Sequence, residues 1–152
     1  MLKILLVSDN HGDHEVIQRI LADNPACDYY FHCGDACLQP EDMKPFLVVR
    51  GNNEWTHAFP KQHICEIKGH RILIMHGNGY TFSKNTLREK AIEEGCDVVF
   101  YGHTHLFHDE IIYGVHLINP GSCYYNRDFS APCYAQIFID DDGNIFVNRK
   151  DV

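Results

Sequence analysis

Leu2-Lys3-Ile4-Leu5-Leu6-Val7-Ser8-Asp9-Asn10-His11-Gly12 opens the chain and sets a pattern that recurs along it. A short, nearly continuous apolar run passes into a polar turn, which reads as a buried strand feeding a loop at its carboxyl end. Asp13 then offers an N-cap, and Val16, Ile17, Ile20 and Leu21 recur at helical spacing up to the break at Asn24-Pro25. Tyr29–His32 is a second short strand ending at Gly34-Asp35, and Phe46–Arg50 repeats the arrangement before Gly51-Asn52-Asn53-Glu54.

The middle of the chain changes character. Ile64–Ile67 and Arg71–Met75 flank Lys68-Gly69-His70 and predict a β-hairpin whose second strand runs into His76-Gly77-Asn78. A helix is expected from about Ser83 to Glu94, stopped by Gly95, with Leu87, Ala91 and Ile92 facing inward. Val98–Tyr101 is a further strand, ending at Gly102-His103-Thr104-His105. The last third is strand and turn, with hairpin signals at Tyr113-Gly114, Asn119-Pro120-Gly121-Ser122 and Asp140–Gly143. No repeat or linker divides the sequence, so residues 1–152 are expected to form one α/β domain with a strand-rich C-terminal part.

Composition narrows the function classes. Hydrophobic residues are 45% and charged residues 22% of 152, which excludes a disordered or fibrous chain. No apolar run approaches a membrane span and the start lacks a cleavage-type signal, so the expected location is cytoplasmic, with no membrane partner. A formal net charge of -8 argues against attraction to the phosphate backbone of duplex nucleic acid. The 11 His nearly equal the 13 Lys and Arg, and an acidic, His-rich chain suits divalent cations. The seven Cys are odd in number, which argues against a disulfide framework, and Cys33 and Cys37 have no second pair to complete a thiolate zinc site.

Five apolar strands end in a Gly-containing loop that presents Asp, Asn or His: Asp9 with His11, Asp35, Asn52, His76, and His103 with His105. Singly, each is an ordinary turn or core residue. Ligands of α/β sheets bind at the carboxyl ends of strands, so the repeated placement predicts convergence on one crevice. Carboxylate, carboxamide and imidazole donors without thiolate suit Mn²⁺, Fe²⁺ or Zn²⁺ in open geometry. Seven donors exceed the need of one ion, and two ions sharing a carboxylate would clamp both the attacking and leaving oxygens of a phosphate ester.

The ordered blocks Asp9-x-His11, Gly34-Asp35, Gly51-Asn52-x-Glu54, His76-Gly77 and Gly102-His103-x-His105 resemble the signature of the calcineurin-like metallophosphoesterases. Val49-Arg50-Gly51-Asn52 and Asn119-Pro120-Gly121-Ser122 are similar to the small YfcE-like phosphodiesterase branch, and the resemblance runs from Leu2 to about Phe146. It implies a four-layer α/β/β/α sandwich with two divalent ions at one edge of the facing sheets. Mn²⁺ is foremost among them, with Zn²⁺, Fe²⁺ and Ni²⁺ as alternatives. It places Asp9, His11, Asp35 and His105 on the first ion and Asp35, Asn52, His76 and His103 on the second, with Asp35 bridging and Asp35, Asn52 and His76 central to catalysis. The implied reaction is in-line attack of a metal-bridging hydroxide on a small or nucleotide-like phosphate ester, with neither Ser122 nor any Cys as nucleophile. A homo-oligomer is left open.

The chain departs from the family pattern at three places. Asn53 stands where many larger relatives carry a His thought to protonate the leaving group, and it cannot act as an acid. Asn78 replaces the second His of a His-Gly-His block, and Glu54 is read as a group that orients its neighbours. Two other functions compete: a protein-binding scaffold such as the retromer subunit of this fold, which departs from the full ligand set, and a nuclease, which the -8 charge disfavours.

The remaining candidates carry plainer readings. His32 is read as a strand-end or supporting group, and His14, His57, His63, His70, His108 and His116 as surface. Arg50, Asn10 and Arg127 are either contacts for phosphate oxygens or solvated, and Tyr124, Tyr125 and Phe129 form a pocket wall or a subunit contact.

Overall fold

Alternation along the central strands explains the layering seen in the computed structural model, which describes residues 1–152. The elements in chain order are β1 Leu2–Val7, α1 His14–Asp23, β2 Tyr29–His32, α2 Pro40–Met43, β3 Leu47–Val48, β4 Gln62–Ile67, β5 His70–Met75, α3 Lys84–Glu93, β6 Val98–Phe100, β7 Phe107–Ile112, β8 Val115–Pro120, β9 Cys133–Ile139 and β10 Ile145–Asp151. One sheet has the order β10-β9-β1-β2-β3 and the other β4-β5-β6-β8-β7. In the first sheet β1, β2 and β3 are parallel and β3 forms one edge, with antiparallel β9 and β10 completing the other side. In the second, parallel β5, β6 and β8 form the middle and antiparallel β4 and β7 the two edges.

Ile4 and Leu6 of β1 pack against Ile72, Ile74, Phe100 and Ile118 of the other sheet, forming the interior of the sandwich. Leu5 and Val7, on the opposite face, meet Val16, Ile17 and Ile20 of α1 and Met43 of α2. Leu73, Val99 and Leu117 turn outward to Leu87 and Ala91 of α3. Three apolar interfaces between helix, sheet, sheet and helix make the four layers that the family resemblance implies. Each fully buried Ile or Leu contributes about 1.5–3 kcal/mol, so the layers are held by strands buried on both faces.

Local signals act as expected at α1, where the Asp13 side chain accepts from the Val16 N–H at 3.1 Å, and at α3, where Ser83 caps Asn85 at 3.2 Å. Three expectations need correction. Ile92 is 52% exposed, because Leu87 and Ala91 already define the buried ridge of α3 and the next residue lies about 100° around the helix. His70 belongs to β5 rather than the turn, which is Lys68-Gly69, both with positive φ. Asn119–Ser122 is not a hairpin: β8 and β9 lie in different sheets, and residues 121–132 carry the chain between them. All seven cysteines are free thiols. No helix is long and apolar enough to cross a membrane.

Candidate metal centre

The loops after β1, β2, β3, β5 and β6 leave one edge of the two sheets and bring the seven expected side chains together. Five of the seven adopt left-handed backbone: Asp9 (φ 56°), His11 (45°), Asp35 (56°), His103 (70°) and His105 (56°). Asn, Asp and His are enriched in this region, yet each still carries strain that neighbouring structure must hold. Glycine makes room beside them. A Cβ on Gly102 would lie 2.6 Å from Asp9 Oδ2, and one on Gly34 would lie 2.8 Å from His76 Nδ1.

Asp9 Oδ1 is buried and has no hydrogen-bond partner. His105 Nε2 lies 3.3 Å from it, His11 Nε2 3.7 Å and His76 Nε2 4.0 Å. Asp35 Oδ2 lies 3.4 Å from His76 Nε2 and 3.8 Å from His11 Nε2. Asn52 Oδ1 is 2.9 Å from His76 Nε2 and 3.2 Å from His103 Nδ1, and His11 Nε2 is 3.0 Å from His105 Nε2. Two groups are compact enough to hold a metal ion: Asp9 with His11 and His105, and Asp9 with Asp35 and His76.

The donors are oriented from behind. His76 Nδ1 donates to the Cys33 carbonyl and His105 Nδ1 to the Tyr125 carbonyl, both at 2.7 Å. A carbonyl only accepts, so in each neutral ring the proton is on Nδ1 and the Nε2 lone pair faces the carboxylates. Asp9 Oδ2 accepts from Ser8 Oγ and from the His103 N–H at 3.1 Å. Glu54 accepts the N–H groups of Asp35 and Gly51 at 2.8 Å and of Cys37 at 3.0 Å, which is the orienting role expected of it. Asn53 donates to Asp35 through its backbone at 2.9 Å and its side chain at 3.2 Å.

Charge is balanced inside the cluster. Burial pushes the Asp9 carboxyl up, but His105, His11 and the charge of His76 outweigh it and hold it well below the usual carboxylate range. Burial also opposes ionisation of Asp35, and His76 with the Asn53 N–H brings it below its ordinary value. Asp9 raises His11, while Asp35 and Asp9 raise His76 against the effect of burial. Burial and the charge of His76 lower His103. Buried carboxylates with nearby imidazole nitrogens and an orphaned carboxylate oxygen are a donor set that divalent cations fit.

Other expected residues divide. His32 is fully buried, accepting from the Gly34 N–H at 3.1 Å and bonded to Asn10 Oδ1 at 2.9 Å, so it supports the loops as read. Asn10 is also buried, and its amide donates to the carbonyls of Asp13 and Ala36, which leaves it no role toward a phosphate. Arg50 is tied to the carbonyls of His57 and Phe59, and Arg127 is exposed, its N–H on the His105 carbonyl. His57 is exposed, while His14 and His63 are half-buried. The surface reading fails for His70, His108 and His116, which are half-buried and bonded respectively to Asp97 at 2.7 Å, Tyr101 at 2.6 Å and Asp109 at 2.5 Å. Tyr124 and Tyr125 stand at the rim, with ring centroids 6.0 Å from His11 and 5.9 Å from His105.

Three supporting residues escaped the sequence reading. Ser8 holds Asp9, Asn119 donates to Gly102 O and Thr104 Oγ1, and Ser122 Oγ donates to the Asp9 carbonyl at 2.8 Å while accepting the Tyr124 and Tyr125 N–H groups. The Asn-Pro-Gly-Ser block is a clamp on two ligand loops; its likeness to the family branch marked the block, and nothing local marked what its side chains hold.

Comparison with known proteins identifies the family and the fold. The calcineurin-like phosphoesterase superfamily domain matches residues 2–142. The probable metallophosphoesterase YsnB of Bacillus subtilis is 31% identical over 146 residues, spanning 93% of this chain and 86% of that protein. A conserved protein of Streptococcus pneumoniae described as a predicted phosphoesterase superposes with a TM-score of 0.82 at 24% identity, over 98% of this chain and 97% of that one. A single mutant of Vps29 from Entamoeba histolytica gives 0.77 at 19% identity, over 99% of each chain. At those identities the two structures show a shared fold alone. From the matched family and the relative in Bacillus, the chain belongs to the calcineurin-like phosphoesterase superfamily, whose members hydrolyse phosphate esters with divalent metals.

Proposed function

We propose that this chain is a metal-dependent phosphodiesterase acting on small or nucleotide-like esters. In this reading Asp9, His11, Asp35 and His105 hold one divalent ion and Asp35, Asn52, His76 and His103 a second, with Mn²⁺ the ion expected. The observation that carries it is Asp9 Oδ1, a buried carboxylate oxygen with no hydrogen-bond partner and three imidazole Nε2 atoms within 4.0 Å. A buried unpartnered acceptor is costly, and a cation at its face removes the cost. The chemistry that a bound cation pair supplies is polarisation of the phosphoryl group and acidification of water near neutral pH.

The chain's own residues govern the rest. His76 and His105 are held in one tautomer by Cys33 and Tyr125, and Glu54 fixes the Asp35 and Gly51 turns. The bond from water oxygen to phosphorus forms as the ester P–O bond breaks, and the departing oxygen takes its proton from solvent. Asn53 cannot supply that proton, and its amide is engaged with Asp35. Diesters with acidic leaving groups such as phenols are therefore preferred over alkyl monoesters.

Purified protein with Mn²⁺ is expected to hydrolyse an aryl phosphodiester and to stop on exhaustive chelation, with Asp35→Asn inactive. Turnover surviving either treatment refutes the reading. Anomalous scattering from a Mn²⁺-soaked crystal is an independent check: ions away from His76 and His105 overturn the ligand assignment. Bound ions without turnover would favour the scaffold.

A further inference from the structure

On the His76 side of the centre lies a cleft that ester hydrolysis by itself does not require. A cavity of about 380 Å³ reaches from Gly51 past His76-Gly77-Asn78 to the start of β4 and to α3. Arg50, Lys61 and Lys90 line it and no acidic residue does, although the chain holds 21 Asp and Glu against 13 Lys and Arg.

The three cations differ in how they are held. Lys90 is anchored to Glu94 at 3.0 Å, with its ammonium 5.9 Å from the centroid of the Tyr80 ring. Arg50 spends Nε on the Phe59 carbonyl at 3.2 Å and Nη2 on the His57 carbonyl at 2.7 Å, which fixes the guanidinium plane and leaves Nη1 free. No carboxylate pairs with it. Lys61 is exposed, with neither a hydrogen bond nor an ion pair. Two uncompensated cations therefore face the cleft, and they do not balance Asp9 or Asp35, whose partners are His11, His76 and His105.

A neutral substituent of the scissile phosphate gains nothing from these cations, whereas a phosphate group carries about -1.5 to -2 charge and accepts from both Arg and Lys. The volume suits a phosphorylated sugar. We propose that the cleft takes a second phosphate group of the substrate, so that the preferred ester is a small organic phosphodiester bearing a further phosphate. This rests on the phosphodiesterase reading above.

The test compares two esters under Mn²⁺: the 4-nitrophenyl ester of thymidine 5′-phosphate, and the same ester with an added 3′-phosphate. Wild type is expected to favour the phosphorylated ester about tenfold in kcat/KM, through KM, at low salt. Lys61→Glu is expected to bring that ratio close to one, and Lys61→Gln to an intermediate value. Lys44→Glu makes the same change of charge on a side chain already paired with Glu41 at 3.0 Å, and should leave the ratio as in wild type. A wild-type ratio near one, or an equal fall in Lys44→Glu, overturns the proposal. Should neither ester be hydrolysed, the phosphodiesterase reading is what fails. The cleft is then judged by titrating thymidine 3′,5′-bisphosphate into the Mn²⁺-treated protein: binding about tenfold weaker in Lys61→Glu supports it, and equal binding overturns it.

Discussion

Removing the Glu54 carboxylate separates a residue that orients the centre from one that binds metal. Its Oε2 accepts the N–H groups of Asp35 and Gly51, and its Oε1 that of Cys37. A hydrogen bond to a charged group contributes about 1.5–3 kcal/mol, so three would sum to about 4.5–9 kcal/mol. Glu54 is only half-buried, and water can replace part of this, which brings Glu54→Ala to a cost of about 2–4 kcal/mol. Glu54→Gln keeps one carbonyl oxygen for two of the N–H groups and turns an NH₂ toward the third, for about 1–2 kcal/mol. The assay is denaturant unfolding in chelator, followed by calorimetric titration with Mn²⁺. Both variants should be destabilised without metal, and Mn²⁺ affinity in Glu54→Ala should fall about 10–100-fold. Unfolding of Glu54→Ala with wild-type stability in chelator would refute the orienting role. Wild-type stability together with lost affinity in Glu54→Gln would instead make Glu54 a ligand.

Three more outcomes follow from named contacts. Burial lowers His32 to about 4, against about 6.5 in an unfolded chain. The fold therefore favours its neutral form, and stability present above pH 6.5 is lost as pH falls toward 4, about 2 kcal/mol of it by pH 5. Unfolding of wild type and His32→Gln at pH 7 and pH 5 checks this, and equal acid losses would clear His32 of the effect. His11 and His76 are raised, so in chelator their share of stability is present at low pH and lost as pH rises through the raised values. Metal needs the deprotonated rings, so the gain in Tm from Mn²⁺ should grow between about pH 6 and pH 8, and a gain independent of pH would contradict the ligand set. Ser122→Ala removes one donor and one doubly used acceptor at a fully buried hydroxyl, for about 2–4 kcal/mol. Reduced but measurable turnover is expected, whereas complete loss in a folded variant would point to Ser122 as a nucleophile.

The fold was legible where one residue type carried one role. Ile4–Val7, Ile72–Met75 and Val98–Tyr101 are apolar on both faces, so each announced a central strand, and the turn residues after them announced the site. The order of Asp9, His11, Asp35, Asn52, His76, His103 and His105 was readable because all seven lie within a few residues of a strand end. Asn119–Ser122 was misread because a Pro-Gly pair marks any change of direction, and only tertiary structure distinguishes a hairpin from a passage between sheets. Ser8, Asn119 and Ser122 act through contacts distant in sequence, Ser122 on Asp9 across 113 positions, and no local pattern encodes such pairs. His70, His108 and His116 were misplaced for the same reason, their partners being set by sheet register and loop packing.

The left-handed backbone at Asp9, His11, Asp35, His103 and His105 bears on the stability of the fold as a whole. At about 1 kcal/mol each, five such residues hold about 5 kcal/mol, comparable with the net stability of a small domain. Glycine at any of the five would relieve the backbone while deleting a candidate ligand, so loss of the centre can be downhill in folding free energy.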